Sequence, residues 1–499
     1  MHRVLIVGSG FAGLLVAIRL KRAGIEDFAV LERSSELGGV WRDNHYPGVA
    51  CDVPAHLYSY SFEPNPRWTR LFAPQREILA YLRRCAEKYG ILPHVRFETG
   101  VTAARFDEAR GVWKVETSRG ETLEARALVS ASGHALSKPI VPALEGLEAF
   151  EGKTMHSARW DDAWPLEGKR VAVIGTGASA AQIVPTIAPK VGALAVFQRT
   201  ASWVLPRPDH AVPAWLQDRF ARSPWTQRAL RGAIWSFMES LAVGFVVDTR
   251  FNAWREKGAL EYLEKTVKDP ELRKKLTPRF RLGTKRILYS NDLYPALQRP
   301  NVELVTEPIA RVTRRGIETK DGRERAFDAI VFATGFEAAE AKPPFPIAGR
   351  RGVGLEEAWK DGIEAYWGCT VAGFPNFFMM LGPNTGLGHS SMILMMESQA
   401  AYILGALEAM EREGLAWLDV RPAVQRAFNE RLQARLAKTV WATGGAASWY
   451  KTKDGRITTL WPGFKFEFRW RTRRFDVESY ERAPRARVEP LAALTDAHA

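Results

Sequence analysis

Only three of the 499 residues are cysteine, Cys51, Cys85 and Cys369, and none has a partner at Cys-x-x-Cys spacing. That shortage excludes a disulfide scaffold, a cysteine-based zinc ribbon and a dithiol redox centre. No metal site is expected, and free thiols fit a reducing cytoplasm. Basic residues are plentiful but form no polybasic block, which argues against a tail built for nucleic acid. The longest apolar stretch in the middle of the chain, 241–247, is too short to cross a bilayer. At the N-terminus, Arg3 leads straight into the strand-like run Val4 to Val7, so no signal peptide is expected. These absences predict a cytoplasmic protein without an integral membrane segment.

The composition itself, 46% hydrophobic and 25% charged, is that of an ordinary globular protein. The length suggests about three domains. Lys and Arg number 70 against 56 Asp and Glu, and the resulting net charge of +14 suits anionic ligands such as phosphorylated cofactors.

The first motif stands at the extreme N-terminus. The run Val4 to Val7 meets Gly8-Ser9-Gly10-Phe11-Ala12-Gly13, a helix follows to Arg22, and a second strand, Phe28 to Leu31, ends in Glu32. In this geometry Gly8 makes the tight turn, Gly10 lets the backbone approach a pyrophosphate and Gly13 lets helix and strand pack closely. Amides at the helix start meet the phosphates, and the acid accepts from a ribose diol. A lone glycine motif is weak evidence, but strand, loop, helix, strand and acid in this order are strong.

The pattern returns at 170–199. A strand from Arg170 to Ile174 meets Gly175-Thr176-Gly177-Ala178-Ser179-Ala180, then a helix in which Pro185 should cause a kink or an early end. The next strand, Leu194 to Gln198, is followed by Arg199 and Thr200. Glu32 lies 24 residues after Gly8, and Arg199 lies 24 after Gly175. The carboxylate suits the free ribose of FAD, whereas the arginine suits a 2′-phosphate, so the second fold should prefer NADPH to NADH. Two apolar strands that end in a small hydroxyl residue and glycine, 128–133 and 330–335, point to carboxyl edges of sheets, where ligands bind. The fold class is therefore α/β, with two Rossmann-like dinucleotide-binding domains placed for hydride transfer between NADPH and FAD.

Two longer stretches carry a specific resemblance. Gly38-Gly39-Val40-Trp41, then Tyr46-Pro47-Gly48, then Asp52 matches the long fingerprint of type I Baeyer–Villiger monooxygenases. Phe150-Glu151-Gly152, His156 and Trp160-Asp161 match their short fingerprint, whose Trp-Asp ending is usually missing from the N- and S-oxygenating relatives. Nearly the whole chain, from Gly8 to about Phe475, follows the order of that family. The resemblance implies an FAD- and NADPH-dependent enzyme that uses O2 to turn a small ketone into an ester or lactone through a C4a-peroxyflavin. It also implies that Arg286 stabilises the negative charge of that species and that Asp52 orients Arg286. Lys285 would join Arg199 at the NADPH phosphate. Val40, Trp41, Tyr58, Val101 and Met392 align with flavin contacts, and Trp449 with a mobile-loop tryptophan covering the nicotinamide cofactor. His156 is read as holding the orientation of the two domains rather than as a catalyst, and Trp160 as its structural companion. A heteroatom-oxygenating enzyme and a non-oxygenating flavoprotein are the alternatives, and the oligomer is expected to be a monomer or a dimer.

The remaining segments are assigned more coarsely. The FAD domain is expected at 1–140 and 336–499 and the NADPH domain at 141–200 and 284–335. A helical insertion fills 201–283, where Trp, Arg and Leu recur at helical spacing. Its Arg222, Arg228 and Arg231 are read as a solvated helix face rather than as membrane contacts. The alternation of Phe464, Phe466, Phe468 and Trp470 with basic and acidic residues predicts a strand, and residues after Ala483 a loosely ordered tail.

Overall fold

A computed structural model describes residues 1–133, 138–339, 342–446 and 448–485. Two sheets organise it. In the larger, the strands run in the order Ile347–Ala348, Val101–Asp107, Val112–Thr117, Thr122–Ser130, His2–Val7, Phe28–Leu31 and Val95–Arg96, with Phe377–Met379 also pairing with Thr122–Ser130. His2–Val7 is parallel to both of its neighbours, with Val4 opposite Phe28 and Val7 opposite Ser130. The second sheet is parallel throughout, in the order Val302–Val305, Ala193–Phe197, Arg170–Ile174, Ala329–Phe332 and Lys153–His156. Its central strands, like Phe28–Leu31, are buried on both faces, which is why they are continuous apolar runs without alternation.

Each glycine loop leaves a strand at the carboxyl edge of its sheet and opens a helix, Phe11–Arg22 in one case and Ala178–Ile187 in the other. The two turns are near copies. Gly8 N donates to Leu31 O at 2.8 Å and Ala131 N to Val7 O at 2.9 Å; Gly175 N donates to Phe197 O at 3.0 Å and Ala333 N to Ile174 O at 2.9 Å. Gly8 and Gly175 hold φ of +101° and +114°, a region that side chains disfavour. Pro185 does not end its helix, which continues two residues further to Ile187. The Thr186 hydroxyl there donates to Gln182 O at 2.8 Å.

Residues 201–283 are largely helical, with helices Ala214–Arg222, Pro224–Ser240, Val243–Val246, Ala253–Thr266 and Pro270–Leu276. A short strand within them, Val204–Leu205, pairs in parallel with Leu288–Tyr289. Three expectations need correction. The segment around Phe464 to Trp470 is a helix, Lys465–Arg471, with Lys465 and Phe468 turned inward and Phe466 and Trp470 outward. The apolar stretch at 241–247 overlaps a longer helical run, Pro224–Val246, whose 23 residues are long and apolar enough to cross a membrane by length and composition alone. Order also persists past Ala483: the strand Tyr480–Pro484 pairs antiparallel with Leu415–Val420, and Arg485 N donates to Gly414 O at 2.8 Å. The rest of the expected tail lies outside the described residues.

Candidate active site

The first loop builds a pocket that supplies its own polar complement. A Cβ on Gly13 would lie 1.8 Å from Gly8 O, so helix and strand touch as the motif requires. A Cβ on Gly10 would meet nothing closer than 3.6 Å, which leaves backbone open to a ligand. Glu32 is buried at the strand end. Its Oε2 accepts from Ser9 N at 3.0 Å and Ser9 Oγ at 2.6 Å; its Oε1 accepts from Ser34 N at 3.0 Å and Arg42 Nη1 at 3.2 Å. Burial pushes its carboxyl up, but these bonds and the Arg42 charge outweigh that and hold it below the ordinary range. Val40 and Trp41 sit on a short helix, Val40–Asp43, beside the loop. Trp41 Nε1 donates to the Tyr58 hydroxyl at 3.0 Å, and Tyr58 packs edge-on against Phe11 of the loop. Val101 is half-buried at the start of its strand. Met392 opens the helix Met392–Arg412 and accepts from Leu387 N at 3.3 Å through Sδ.

The second loop is chemically opposite. A Cβ on Gly177 would meet nothing within 4 Å. Ala178, Ser179 and Ala180 form the first turn of the helix. Thr176 is braced to the chain beyond the next strand: its Oγ1 donates to Thr200 O at 3.2 Å, and Ser202 Oγ donates to Thr176 O at 3.0 Å. Arg199 is exposed and Lys285 half-buried. Burial and the nearby Arg199 both hold the Lys285 ammonium below the ordinary lysine range. Among the described residues neither cation has an acidic partner, so this mouth is ready for an anion with several negative oxygens.

Between the loops the chain joins residues 234 positions apart. Arg286 donates from Nε to Asp52 Oδ2 at 2.7 Å and from Nη2 to Asp52 Oδ1 at 2.6 Å, a two-point grip. The carboxylate raises the guanidinium pKa further, against the effect of burial, so the cation is permanent. Its side chain is still 44% exposed. The stretch that delivers Asp52 is clamped onto the second fold. Tyr46 Oη donates to Gln182 Oε1 at 3.0 Å, Gln182 Nε2 donates to Ala50 O at 2.9 Å, and a Cβ on Gly48 would lie 2.3 Å from Thr186 Oγ1. Tyr46 also shares one buried cluster with Trp160, so the two fingerprint stretches meet in space. His156 ends the strand Lys153–His156, its Nδ1 accepting from Ala158 N at 3.1 Å and its ring edge-on to Phe336. Burial holds that imidazole below the usual histidine range.

Three residues that the sequence did not single out complete the surroundings. Tyr450 is buried close enough to the Arg286–Asp52 pair to feel both charges; burial pushes its phenol up to about 12. Tyr289 faces the same pair and takes a bond from Arg255 Nη2 at 3.2 Å. Arg207 donates to Cys51 O at 3.1 Å and lies over the Phe72 ring, bracing the peptide next to Asp52. Arg207 stands between two prolines outside the motifs, and only contact geometry reveals it. Trp449, next to Tyr450 with ring centroids 4.4 Å apart, is 41% exposed.

With this geometry in place, known proteins supply a parallel. The family described as flavin-binding monooxygenase-like matches residues 1–341. A Baeyer–Villiger monooxygenase of Pseudomonas aeruginosa is 47% identical over 495 residues, covering 99% of this chain and 93% of that one. One from Streptomyces coelicolor is 48% identical over 497 residues, covering 99% and 95%. Among solved structures, OTEMO in complex with FAD and NADP superposes with a TM-score of 0.88 at 27% identity, covering 97% of this chain and 99% of that one.

Proposed function

The chain belongs to the flavin-binding monooxygenase-like family and is a Baeyer–Villiger monooxygenase, and on that premise we propose which of its residues carry each part of the reaction. The enzyme uses FAD and NADPH to insert one atom of O2 next to the carbonyl of a small-molecule ketone, giving an ester or lactone. The alternatives, heteroatom oxygenation or a flavoprotein that only passes electrons, are not favoured by relatives of this identity.

The first loop fits FAD: open backbone at Gly10, a helix start aimed at phosphate, and an ionised Glu32 at the ribose position. Val40, Trp41, Tyr58, Val101 and Met392 are assigned to its flavin half. The second loop fits NADPH: open backbone at Gly177, with Arg199 and Lys285 lacking acidic partners among the described residues where a 2′-phosphate would lie. Thr176, Thr200 and Trp449 are assigned to the same cofactor. The domain division drawn from the sequence is supported by the two sheets, since the segments 347–348 and 377–379 return to the first.

Held by these loops, FAD and NADPH would supply the hydride transfer and the oxygen chemistry. The chain's part is electrostatic and positional. Arg286 presents a fixed positive charge to the negative oxygen that attacks, and then to the oxyanion that replaces the ketone carbonyl. Asp52 holds the guanidinium at two points, so the donor direction is set before reaction begins. Tyr450, Tyr289, Tyr58 and Trp41 wall the site with aromatic bulk and limit water, whose protons would otherwise release the activated O2 as hydrogen peroxide. His156 and Trp160 hold the two folds in register. Free, buried Cys51, Cys85 and Cys369 support a cytoplasmic location.

The observation that carries this assignment is the two-point Asp52–Arg286 pair, formed across two nucleotide folds. Its test is a turnover experiment with NADPH, oxygen-18 gas and a panel of cyclic, linear and aryl ketones. The expected result is one labelled oxygen in an ester product, and loss of that product in both Arg286→Ala and Asp52→Ala. Labelled ester at undiminished yield from both variants overturns the residue roles.

A further inference from the structure

The helix Pro224–Ser240 turns polar groups inward and large aromatic side chains outward. Three of its polar side chains face the protein, alongside Ile234, Trp235 and Met238: Gln227 Nε2 donates to Asn65 O at 2.6 Å, Arg231 Nη1 to His56 O at 2.7 Å, and Glu239 Oε1 accepts from Phe466 N at 3.1 Å. Its solvent side carries Trp225 and Phe237. A helix on a globular surface ordinarily has the reverse arrangement. Half of the large exposed hydrophobic side chains among the described residues lie between Trp215 and Leu260, less than a tenth of the chain. Trp215, Trp225, Phe237, Phe251 and Trp254 are each between 60% and 70% exposed, and Trp470 joins them from the C-terminal helix. Exposed aromatic surface on this scale marks a contact with another phase or partner.

Charge selects the occupant. Arg219, Arg222 and Arg228 are exposed, and among the described residues none has an acidic partner. Of the two acids in the helix pair Ala214–Arg222 and Pro224–Ser240, Asp218 is bound to Arg67 at 2.6 Å and Glu239 is buried. Among the described residues of this helix pair, the unpaired outward charge is therefore cationic. A two-fold contact with a second copy would bring these arginines face to face. A bilayer with anionic headgroups matches them instead, with tryptophans at the headgroup level. The inward bonds of Gln227, Arg231 and Glu239 lash the helix to the body, so it lies along the surface rather than crossing it.

We propose that the face formed by helices 214–240, with Phe251, Trp254 and Trp470, docks the enzyme peripherally on an anionic lipid bilayer. The test sediments full-length, FAD-loaded protein with vesicles of phosphatidylcholine alone or with ~30% phosphatidylglycerol. The expected result is co-sedimentation with the anionic vesicles, weakened by salt. It should fall about fivefold or more in Trp225→Ser/Phe237→Ser and in Arg222→Glu/Arg228→Glu, both of which keep wild-type NADPH oxidation in solution. Equal recovery with both lipids, no recovery with either, or recovery unchanged by the substitutions overturns the proposal. So does a concentration-dependent dimer, seen by analytical ultracentrifugation, that Trp225→Ser/Phe237→Ser dissolves, since that assigns the face to a second copy. None of these readouts depends on the ketone chemistry.

Discussion

Gly8 to Glu32 and Gly175 to Arg199 are two loops of the same length and backbone path with opposite chemistry. Their turn hydrogen bonds agree within 0.2 Å, and both first glycines hold the same unusual φ. Yet the first strand delivers a buried carboxylate with four polar contacts, and the second an exposed arginine facing a half-buried lysine. The third motif position differs too. Gly13 leaves no room for a Cβ, whereas Ala180 carries one and is buried in the second helix. The backbone fixes where a dinucleotide lies, and a handful of side chains decides which one and how permanently. A pocket that satisfies its own charge suits a resident cofactor; one that leaves two cations bare suits a ligand that comes and goes.

Substitutions can break or sharpen that contrast. The largest effect belongs to Gly13→Ala, because the new Cβ must push the helix from Gly8 O. FAD affinity should fall at least ~10–100-fold, read as flavin absorbance per mole of purified protein. Arg199→Ala with Lys285→Ala removes two charge-assisted contacts and should raise the KM for NADPH by roughly 10–100-fold while leaving that for NADH within about twofold. A milder version comes from pH. Burial and Arg199 hold Lys285 below the usual lysine range, so the free enzyme loses this charge at a lower pH than an exposed lysine would. The KM for NADPH should therefore climb as pH rises into the alkaline range, and this climb should vanish in Lys285→Met. Ala180→Gly should change the KM for NADPH least, by less than about twofold beyond the general cost of a helical glycine.

Most of the nucleotide framework was legible in the sequence because its demands are local: each motif is one strand, one tight turn and one helix in continuous chain. Arg170–Ile174 has the bounds expected of it, and Glu32 and Arg199 stand at the ends their spacing implied. Asp52 and Arg286 came from resemblance, since no local rule joins residues 234 positions apart. Tyr450, Tyr289 and Arg207 were missed because their importance is purely spatial. Lys465–Arg471 was misread for a physical reason. Four aromatics at every second position look like one strand face, but in the helix only Phe468 and the Lys465 stem go inward, the Lys465 ammonium donating to Ser398 Oγ at 2.9 Å. Counting consecutive apolar residues likewise hid the apolar run Pro224–Val246, because Arg228, Arg231 and Glu239 interrupt it in sequence.

The central claim is that Arg286, held by Asp52, turns a flavin reduced by NADPH into an oxygenating one. The most direct measurement is the fate of NADPH electrons in Arg286→Ala, followed as ester and hydrogen peroxide formed per NADPH consumed. Flavin reduction should proceed, ester should fall by about 100-fold or more, and peroxide should account for the NADPH consumed. Ester formation in step with NADPH consumption in that variant would contradict the account.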